Sequence, residues 1–324
     1  MHLSSKDGSI IRELFGDARA SYSQIGRKCR LSKEVVGYRI RRMHREGLVV
    51  GYNTVIDVKR LGWRIFFIYL RLHGLQVSDE ERVTGILKGH PNVAQVFKCV
   101  GSYDAVIKVF VREYDDIKPV IKSLESQLGS HFEHYEIDYV TAETAVPFRF
   151  LYMPKEKTIR TAKYPAHEAS AKDYLVMKEL AKNARMNVVD IAARTGMPPE
   201  TVKYRIRQLE KSGIILKYRP DVLPKVLGYN WHLLTLKTGE LGQLEPRLKS
   251  YLIGQANVTY FYQSIGGNDI QVEIRTRTTN ELARILLDIR SIMGQALRRF
   301  EILIILDEPK YTYFPDCLDV KPKK

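Results

Sequence analysis

The chain has 324 residues, enough for two or more domains that each bury a core of their own. Its apolar fraction of 44% and charged fraction of 27% are typical of a soluble globular protein, and its longest apolar stretch, Ile65–Leu70, is far too short to span a bilayer. We expect no signal peptide and no disulfide framework, since the N-terminus lacks an apolar core and the three cysteines show no C-x-x-C spacing. A cytoplasmic location is therefore expected.

The formal net charge of +15 is concentrated in two blocks. Residues 1–60 carry 13 Lys and Arg against 6 Asp and Glu, and residues 172–228 carry 12 against 6. A solvated surface does not need such concentration, whereas a surface that binds a polyanion does. The charge pattern therefore predicts two polyanion-binding units.

The two basic blocks are copies of each other. When Asp7–Trp63 is laid on Asp173–Tyr229 at an offset of 166, 17 of 57 positions are identical, including the Y-R-I-R run that begins at Tyr38 and at Tyr204. The period is much longer than the 20–50 residues of a solenoid repeat. The chain therefore reads as a tandem duplication of a two-domain protein.

Each basic block is predicted to form three helices. In the first copy a helix covers Asp7–Phe15, and Ser21 with Gln24 forms a capping box that starts the second. Ser32 is the expected N-cap of the third helix. In the second copy Asn187 and Asp190 take the capping places of the second helix, and Pro198-Pro199 lies at the first turn of the third, where proline is tolerated.

The third helix of each copy has one apolar stripe and an otherwise basic surface. Val36, Ile40 and Met43 form the stripe in copy one, and Val202, Ile206 and Leu209 repeat it. Two helices joined by a short turn, with the second one basic, are typical of a helix-turn-helix that enters the DNA major groove, and the β-prone runs after Gly47 and Gly213 predict a wing. A single basic helix face can simply be a solvated surface. Two matched copies with the same stripe, turn and wing make that interpretation weaker. The predicted DNA-binding residues are Ser32, Lys33, Gly37, Tyr38, Arg39, Arg41, Arg42, Arg45, Glu200, Thr201, Lys203, Tyr204, Arg205, Arg207 and Lys211.

A second domain type follows each basic block. Residues 62–143 read as strand, helix, strand, strand, helix and strand, the order of a ferredoxin-like domain, and residues 231–306 repeat this order. The fold class expected from the sequence is α+β, with two winged helix-turn-helix domains and two ferredoxin-like (βαββαβ) domains. The expected boundaries are 1–60, 61–146, a polar linker at 147–171, 172–228 and 229–324.

The run L-S-x-x-x-V-x-Y-R-I-x-x-M-x-x-x-G-L-V, followed by Tyr52, resembles the signature of the Lrp/AsnC family of bacterial and archaeal transcription factors, and the resemblance covers the chain twice. It implies a sequence-specific regulator that binds double-stranded DNA, and a regulatory domain that pairs through its sheet and binds a small effector such as an amino acid. The family's G-x-Y-D loop matches Gly101, Tyr103 and Asp104, while the second copy has Asn268 in place of the tyrosine. The implied effector residues are Gly101, Ser102, Tyr103, Asp104, Gly266, Gly267, Asn268 and Asp269, although a simple turn is an equally good interpretation of these hairpins.

The duplication leaves two modes of assembly open. The two regulatory sheets, 61–146 and 229–306, could pair within one chain, because joining the copies raises their effective concentration to about the millimolar range. Alternatively, each chain pairs with another as a homo-oligomer and presents four DNA-reading units.

The alternatives to a regulator are an enzyme, a sirohaem decarboxylase of the same fold and a DNA-coating protein. No protease, P-loop or hydrolase motif is present, so an enzyme, a cofactor and a metal are not expected, and His131 and His134 should point to opposite faces of a strand. The sirohaem decarboxylases form an enzymatic branch of the same fold, but the segments at 52–58 and 96–104 follow the regulator pattern. A chromatin-coating protein with little sequence preference would differ from a regulator in its ratio of specific to non-specific affinity.

Overall fold

The computed structural model describes residues 3–152, 158–161, 168–239, 242 and 244–319. Parts of the predicted linker and of the C-terminal tail, at 153–157, 162–167 and 320–324, lie outside the described residues. The helices are α1 Ser5–Gly16, α2 Tyr22–Cys29, α3 Lys33–Arg45, α4 Glu80–Gly89, α5 Ile117–Leu128, α6 Ala171–Lys182, α7 Val188–Thr195, α8 Pro199–Lys211, α9 Leu244–Gly254 and α10 Thr279–Met293. The strands are β1 Val49–Ile56, β2 Arg64–Leu72, β3 Val93–Val100, β4 Ala105–Val111, β5 Phe132–Ala145, β6 Ile159–Thr161, β7 Ile215–Val222, β8 Asn230–Thr238, β9 Val258–Gly266, β10 Ile270–Thr276 and β11 Leu297–Tyr311.

The three predicted helices form in each basic block, with the predicted caps. Ser21 and Gln24 make a reciprocal capping box at α2, and Ser32 accepts a hydrogen bond from the Val35 N–H at the start of α3. Asn187 caps α7, and Pro199 is the first residue of α8. All six residues of the two apolar stripes are buried. Local capping and apolar periodicity therefore account for both helical units.

The strands expected to form a separate wing on each unit pair instead with each other. β1 and β7 are antiparallel, with Asn53 opposite Arg219 and Thr54 opposite Tyr218, and together they make a two-stranded sheet. A single strand after each helical unit has unpaired backbone groups, and its equivalent in the other repeat supplies the missing partner. The prediction of two independent wings is corrected to one shared ribbon.

Eight of the remaining strands close into a ring, and β6 pairs with the end of β5 outside it. Within the first repeat the order is β5-β2-β4-β3, as in a ferredoxin-like domain, and the second repeat follows the same order with β11-β8-β10-β9. The long strands β5 and β11 each continue past their own sheet. β5 pairs with β9 of the second repeat, and β11 pairs with β3 of the first. The two regulatory sheets are therefore joined within one chain, edge to edge, at two equivalent seams.

Helices cover the outer face of the ring. In the first repeat α4 and α5 contribute to one apolar core with Ile107 and Val109, while the alternate residues of the same strand face the interior. The aromatic strand β2 obeys the same rule, since Phe66 lies in the helix-side core and Phe67 with Tyr69 lies inside the ring. The aromatic side chains of this strand therefore fill two cores and do not form an open stacking platform.

The start of the predicted polar linker is part of the core. Phe148, Leu151 and Tyr152 are buried, and the ring centroids of Phe148 and Tyr152 lie 5.1 Å and 4.9 Å from that of Phe15 on α1. Aromatic contacts of this kind stabilise a packed segment. The first residues of the predicted polar linker, 147–152, therefore pack against the first helical unit.

Candidate nucleic-acid interface

The exposed faces of α3 and α8 carry most of the predicted DNA-binding side chains. Tyr38 and Tyr204, which occupy equivalent positions, are each 57% exposed. The exposed basic side chains on the same faces are Lys33, Arg41, Arg45, Lys203, Arg207 and Lys211. Ser32 and Glu200, at the starts of the two helices, are also exposed, whereas Thr201 is half-buried. A basic helix face with an exposed aromatic at its centre is suited to phosphate and base-edge contacts.

Three of the predicted arginines instead hold the helical unit together. Arg39 and Arg42 donate hydrogen bonds to the buried carboxylate of Asp7, at 2.9 Å and 2.7 Å. The two arginine side chains are themselves largely buried. Burial alone would raise the pKa of Asp7, but hydrogen bonds from Ser4 and Arg39 and the charge of Arg42 hold that pKa below its ordinary value. In the second copy Arg205 pairs with Asp173 at 3.3 Å. These arginines therefore have a structural partner in the protein without DNA.

Two further residues of the predicted set have local roles. Gly37 is buried, and a Cβ atom built on it would lie 3.3 Å from the ring of Tyr22. Gly37 thus allows α2 and α3 to approach closely and is not part of the exposed face, which corrects its assignment as a base-reading residue. The Ser32 hydroxyl is already engaged as an N-cap, accepting from the Val35 N–H at 3.2 Å.

A reciprocal exchange of arginines fixes the two helical units relative to each other. Arg19 of the first unit donates to the carbonyl oxygen of Met186 at 3.0 Å and lies over the ring of Tyr218. Arg185, its equivalent in the second unit, donates to the carbonyl oxygen of Ala20 at 3.2 Å and lies over the ring of Tyr52. Both arginine–ring distances are 5.2 Å. The sequence offered a signal in the repeated Ala-Arg pair, but sequence reasoning gave it no role.

The two predicted effector loops form the β3–β4 and β9–β10 hairpins. The side chains of Asp104 and Asp269 accept hydrogen bonds from the Leu72 N–H and the Thr238 N–H, each at 2.7 Å, and so tie each hairpin to the neighbouring strand. Gly101 and Ser102 lie in the first turn, and Gly267 lies in the second, directly after Gly266 at the end of β9. The aspartates therefore have a structural role in the turn.

The third loop position differs between the repeats and is closed to solvent in both. Tyr103 is 5% exposed and packs on Tyr69, whereas Asn268 is 3% exposed and donates from its side chain to Asp138 at 3.0 Å. Asp138 is fully buried and also accepts from the Gln271 side chain at 2.8 Å. The β5–β9 seam therefore contains a buried polar cluster around Asp138, and neither Tyr103 nor Asn268 is open to a ligand.

Two features bear on other classes of function. No helix within the described ranges is long and apolar enough to cross a membrane. Among the same residues there is no group of three or more His, Cys, Asp and Glu side chains placed to hold a metal ion. His131, the first residue of the H-x-x-H pair, contacts the carbonyl oxygen of His73 at 2.9 Å.

Two family models match the chain, one in each repeat. Residues 3–44 match the AsnC-type helix-turn-helix domain, and residues 170–215 match the winged helix-turn-helix DNA-binding model. These ranges cover α1 to α3 and α6 to α8. The two units described above are thus each similar to known DNA-binding domains.

Similar proteins correspond in length to one repeat. The chain is 31% identical over 143 residues to the HTH-type transcriptional regulator FL11 of Pyrococcus abyssi, covering 43% of this chain and 91% of that protein. It is 30% identical over 108 residues to the proline dehydrogenase transcriptional activator of Rhodobacter capsulatus, covering 33% and 70%. The siroheme decarboxylase NirDL has a similar structure over 96% of this chain and 94% of its own, with a TM-score of 0.61 and 13% identity. This last likeness concerns the fold of the whole tandem arrangement.

Proposed function

The chain belongs to the Lrp/AsnC family of helix-turn-helix proteins, and we propose that it is a DNA-binding transcriptional regulator whose two units read two half-sites of one duplex. The observation that carries the proposal is the pair of exposed basic helices, α3 and α8, held in fixed relation by the reciprocal contacts of Arg19 and Arg185. Two rigidly spaced recognition helices match two major-groove segments separated by a set distance.

Within each helix we assign two kinds of contact. Arg41 and Arg45, with Arg207 and Lys211, lie toward the C-terminal halves of the helices and contact phosphates, which position the protein on the duplex. Lys33, Tyr38, Lys203 and Tyr204 lie nearer the N-terminal ends and contact base edges. Glu200 and Thr201 complete this reading surface in the second copy.

One chain supplies both units. The seams β5–β9 and β11–β3 join the regulatory sheets within the chain, and the β1–β7 ribbon joins the helical units. A second chain is therefore not needed to complete either the ring or the pair of recognition helices. We propose that the single chain is the smallest unit that binds an operator.

The two recognition helices are not equivalent, so their half-sites should differ. The first begins with Lys33 and has Gly37 buried, whereas the second begins with Pro199 and has the exposed Lys203 at the position of Gly37. Side chains at these positions determine which base edges are read. We propose that the preferred operator is an imperfect palindrome.

The proposal does not include an enzymatic activity. The relatives named as regulators align with one repeat at about 30% identity, while the likeness to the siroheme decarboxylase, at 13% identity, concerns the backbone arrangement. Fold similarity by itself does not carry a reaction.

The test is selection of bound duplexes from a random library with the full chain. We expect recovery of two unequal half-sites at one fixed spacing. A symmetric consensus would refute the proposed imperfect palindrome, but it would still support a sequence-specific regulator. A failure to enrich any sequence, with binding that does not discriminate between duplexes, would instead support a DNA-coating protein.

A further inference from the structure

The turn before each recognition helix carries a different charge in the two units. The first unit has three cations at the end of α2 and in the residue that follows it, whereas the second has one cation at the equivalent positions. The three cations are Arg27, Lys28 and Arg30, and their equivalents are Ala193, Arg194 and Gly196. The two units, which are otherwise close copies, therefore differ in charge at one specific place.

The cation that the two units share is already paired in each of them. The Lys28 Nζ lies 3.0 Å from the carboxylate of Glu13, and the Arg194 guanidinium lies 3.4 Å from the carboxylate of Glu179, the residue equivalent to Glu13. Both glutamates are buried. Opposite charges this close largely cancel each other's field at longer range. The difference in charge between the units therefore comes from the other two positions.

Arg27 and Arg30 are exposed, and neither side chain has a hydrogen bond or an ion pair within the described part of the chain. Their equivalents, Ala193 and Gly196, are also exposed, so a long side chain at these positions is not needed for packing. Cations that fold the chain would have acidic or carbonyl partners, as Arg19 and Arg42 do. These two arginines are instead available to a ligand of opposite charge.

The backbone at Arg30 carries a local cost that the second unit avoids. Arg30 has φ of +55° and ψ of +49°, and in the described ranges it is the single non-glycine residue with a positive φ. Gly196 adopts the same conformation without a side chain to hinder it. Strained residues of this kind are concentrated at functional sites. No contact of the Arg30 side chain within these ranges offsets the strain, so its benefit lies outside the chain.

Both arginines lie beside the end of the recognition helix that enters the groove. Arg30 is two residues before Ser32, the N-cap of α3, and Arg27 lies in the last turn of α2. In helix-turn-helix complexes the first helix crosses the phosphate backbone, and the N-terminal residues of the second contact base edges. The turn between α2 and α3 is therefore close to the phosphates that flank the reading surface.

We propose that Arg27 and Arg30 bind backbone phosphates of the duplex and that the first unit is therefore the stronger half of an unequal pair. This inference rests on the proposed DNA-binding function and deepens it. Lys33 adds to the difference, because its equivalent is Pro199. Phosphate contacts do not depend on base sequence, so the first unit holds a duplex even where the second unit has no matching half-site.

The first test exchanges the turns in the full chain, with a mixed-sequence duplex of about 30 base pairs, roughly three helical turns, as the probe. Arg27→Ala with Arg30→Gly gives the first unit the residues of the second at these positions. We expect the affinity at moderate salt to fall by about tenfold or more, and the slope of log affinity against log salt to decrease by about two. The reverse change, Ala193→Arg, should raise the affinity and increase that slope by about one.

Two controls separate this effect from unfolding and from a change in net charge. Glycine removes the steric cost at residue 30, so Arg30→Gly should keep or raise the thermal midpoint. The matched control, Arg247→Ala with Arg284→Ala, removes the same charge from exposed positions on α9 and α10 and should leave affinity and slope unchanged. An equal loss of affinity in this control would indicate a general effect of net charge and would overturn the proposal.

A shorter duplex distinguishes the stronger unit from the weaker one. A probe of about 12 base pairs, roughly one helical turn, has room for one recognition helix. We expect Arg27→Ala with Arg30→Gly to weaken binding to this probe by about tenfold, and Arg207→Ala with Lys211→Ala in the second unit to weaken it by less than about twofold. Equal losses in the two variants would show that the units are equivalent and would overturn the proposal.

Failure of the proposed function would give a different result from failure of this inference. If the native chain binds neither probe, the DNA-binding function is refuted and this inference is refuted with it. If the native chain binds both probes and the exchange of the first turn leaves affinity and slope unchanged, the regulator proposal stands. Only the phosphate-binding role of Arg27 and Arg30 is then refuted.

Discussion

The guanidinium of Arg42 lies 2.7 Å from the buried carboxylate of Asp7, so the third helix of the first unit is joined to its first helix by an ion pair. Asp7 is also the N3 residue of the capping box that starts α1, and Arg39 donates to its other oxygen at 2.9 Å. The second unit has Asp173 and Arg205, but Gln208 replaces Arg42. The same junction is therefore built with two arginines in one unit and with one in the other.

Removal of the aspartate should destabilise the two units unequally. Asp7→Ala leaves two partly buried arginines without their partner and should lower the free energy of unfolding by about 2–4 kcal/mol. Asp173→Ala should lower it by about half as much, because only Arg205 loses a partner. Urea denaturation followed by circular dichroism measures both. Equal losses of unfolding free energy in the two variants would show that Arg42 contributes nothing to the stability of the first unit.

The sequence was sufficient for the local structure and for part of the candidate site. Caps and apolar stripes determine α1 to α3 and α6 to α8, and strand alternation determines β2 to β5, because these patterns depend on near neighbours. It could not show that β1 pairs with β7, since that partner lies in the other repeat. The roles of Arg42 and Gly37 depended on which neighbour each side chain reaches after folding.

A left-handed backbone position distinguishes the ends of α2 and α7. Arg30 has φ of +55°, and its equivalent Gly196 has φ of +67°. Glycine adopts this conformation without the steric penalty of a side chain. Arg30→Gly should therefore raise the free energy of unfolding by about 0.5–1 kcal/mol, and Gly196→Arg should lower it by a similar amount. Thermal denaturation of both variants tests this, and a loss of stability in Arg30→Gly would contradict it.

The interior carboxyl of Glu308 should give the protein a pH-dependent stability. Its pKa is about 8 in the folded chain, chiefly because burial disfavours its charged form, against an ordinary value of 4.5. This contribution is fully present below pH 4.5, and it is lost as the pH rises through 8, because the unfolded chain releases the proton first. Glu308→Gln should therefore flatten the fall in unfolding free energy over that range. A wild-type and a variant curve that run parallel would contradict the assignment.

The intramolecular seams predict that one chain folds alone. At low micromolar concentration, sedimentation should show a folded species of 37.4 kDa, with a thermal midpoint that does not change on dilution. The internal control is the polar β5–β9 seam, where Asp138→Ala should lower that midpoint because it removes an acceptor from both Asn268 and Gln271. If only a species of twice the mass is folded, the pairing occurs between chains.

The central claim is that the exposed faces of α3 and α8 bind a duplex through their basic side chains. The most direct measurement is the salt dependence of duplex affinity, by fluorescence anisotropy, for a variant in which six exposed cations are replaced by alanine: Lys33, Arg41, Arg45, Lys203, Arg207 and Lys211. Arg39, Arg42 and Arg205 are left in place, because their loss would disturb the fold. The matched control replaces six exposed cations on the regulatory domains: Arg82, Lys88, Lys118, Lys122, Arg284 and Arg298.

We expect the recognition-helix variant to lose at least about 100-fold in affinity at moderate salt, and its slope of log affinity against log salt to decrease by about one for each phosphate contact removed. The control variant should retain both the affinity and the slope of the native chain. A folded recognition-helix variant that binds the duplex with unchanged affinity and slope would contradict the account.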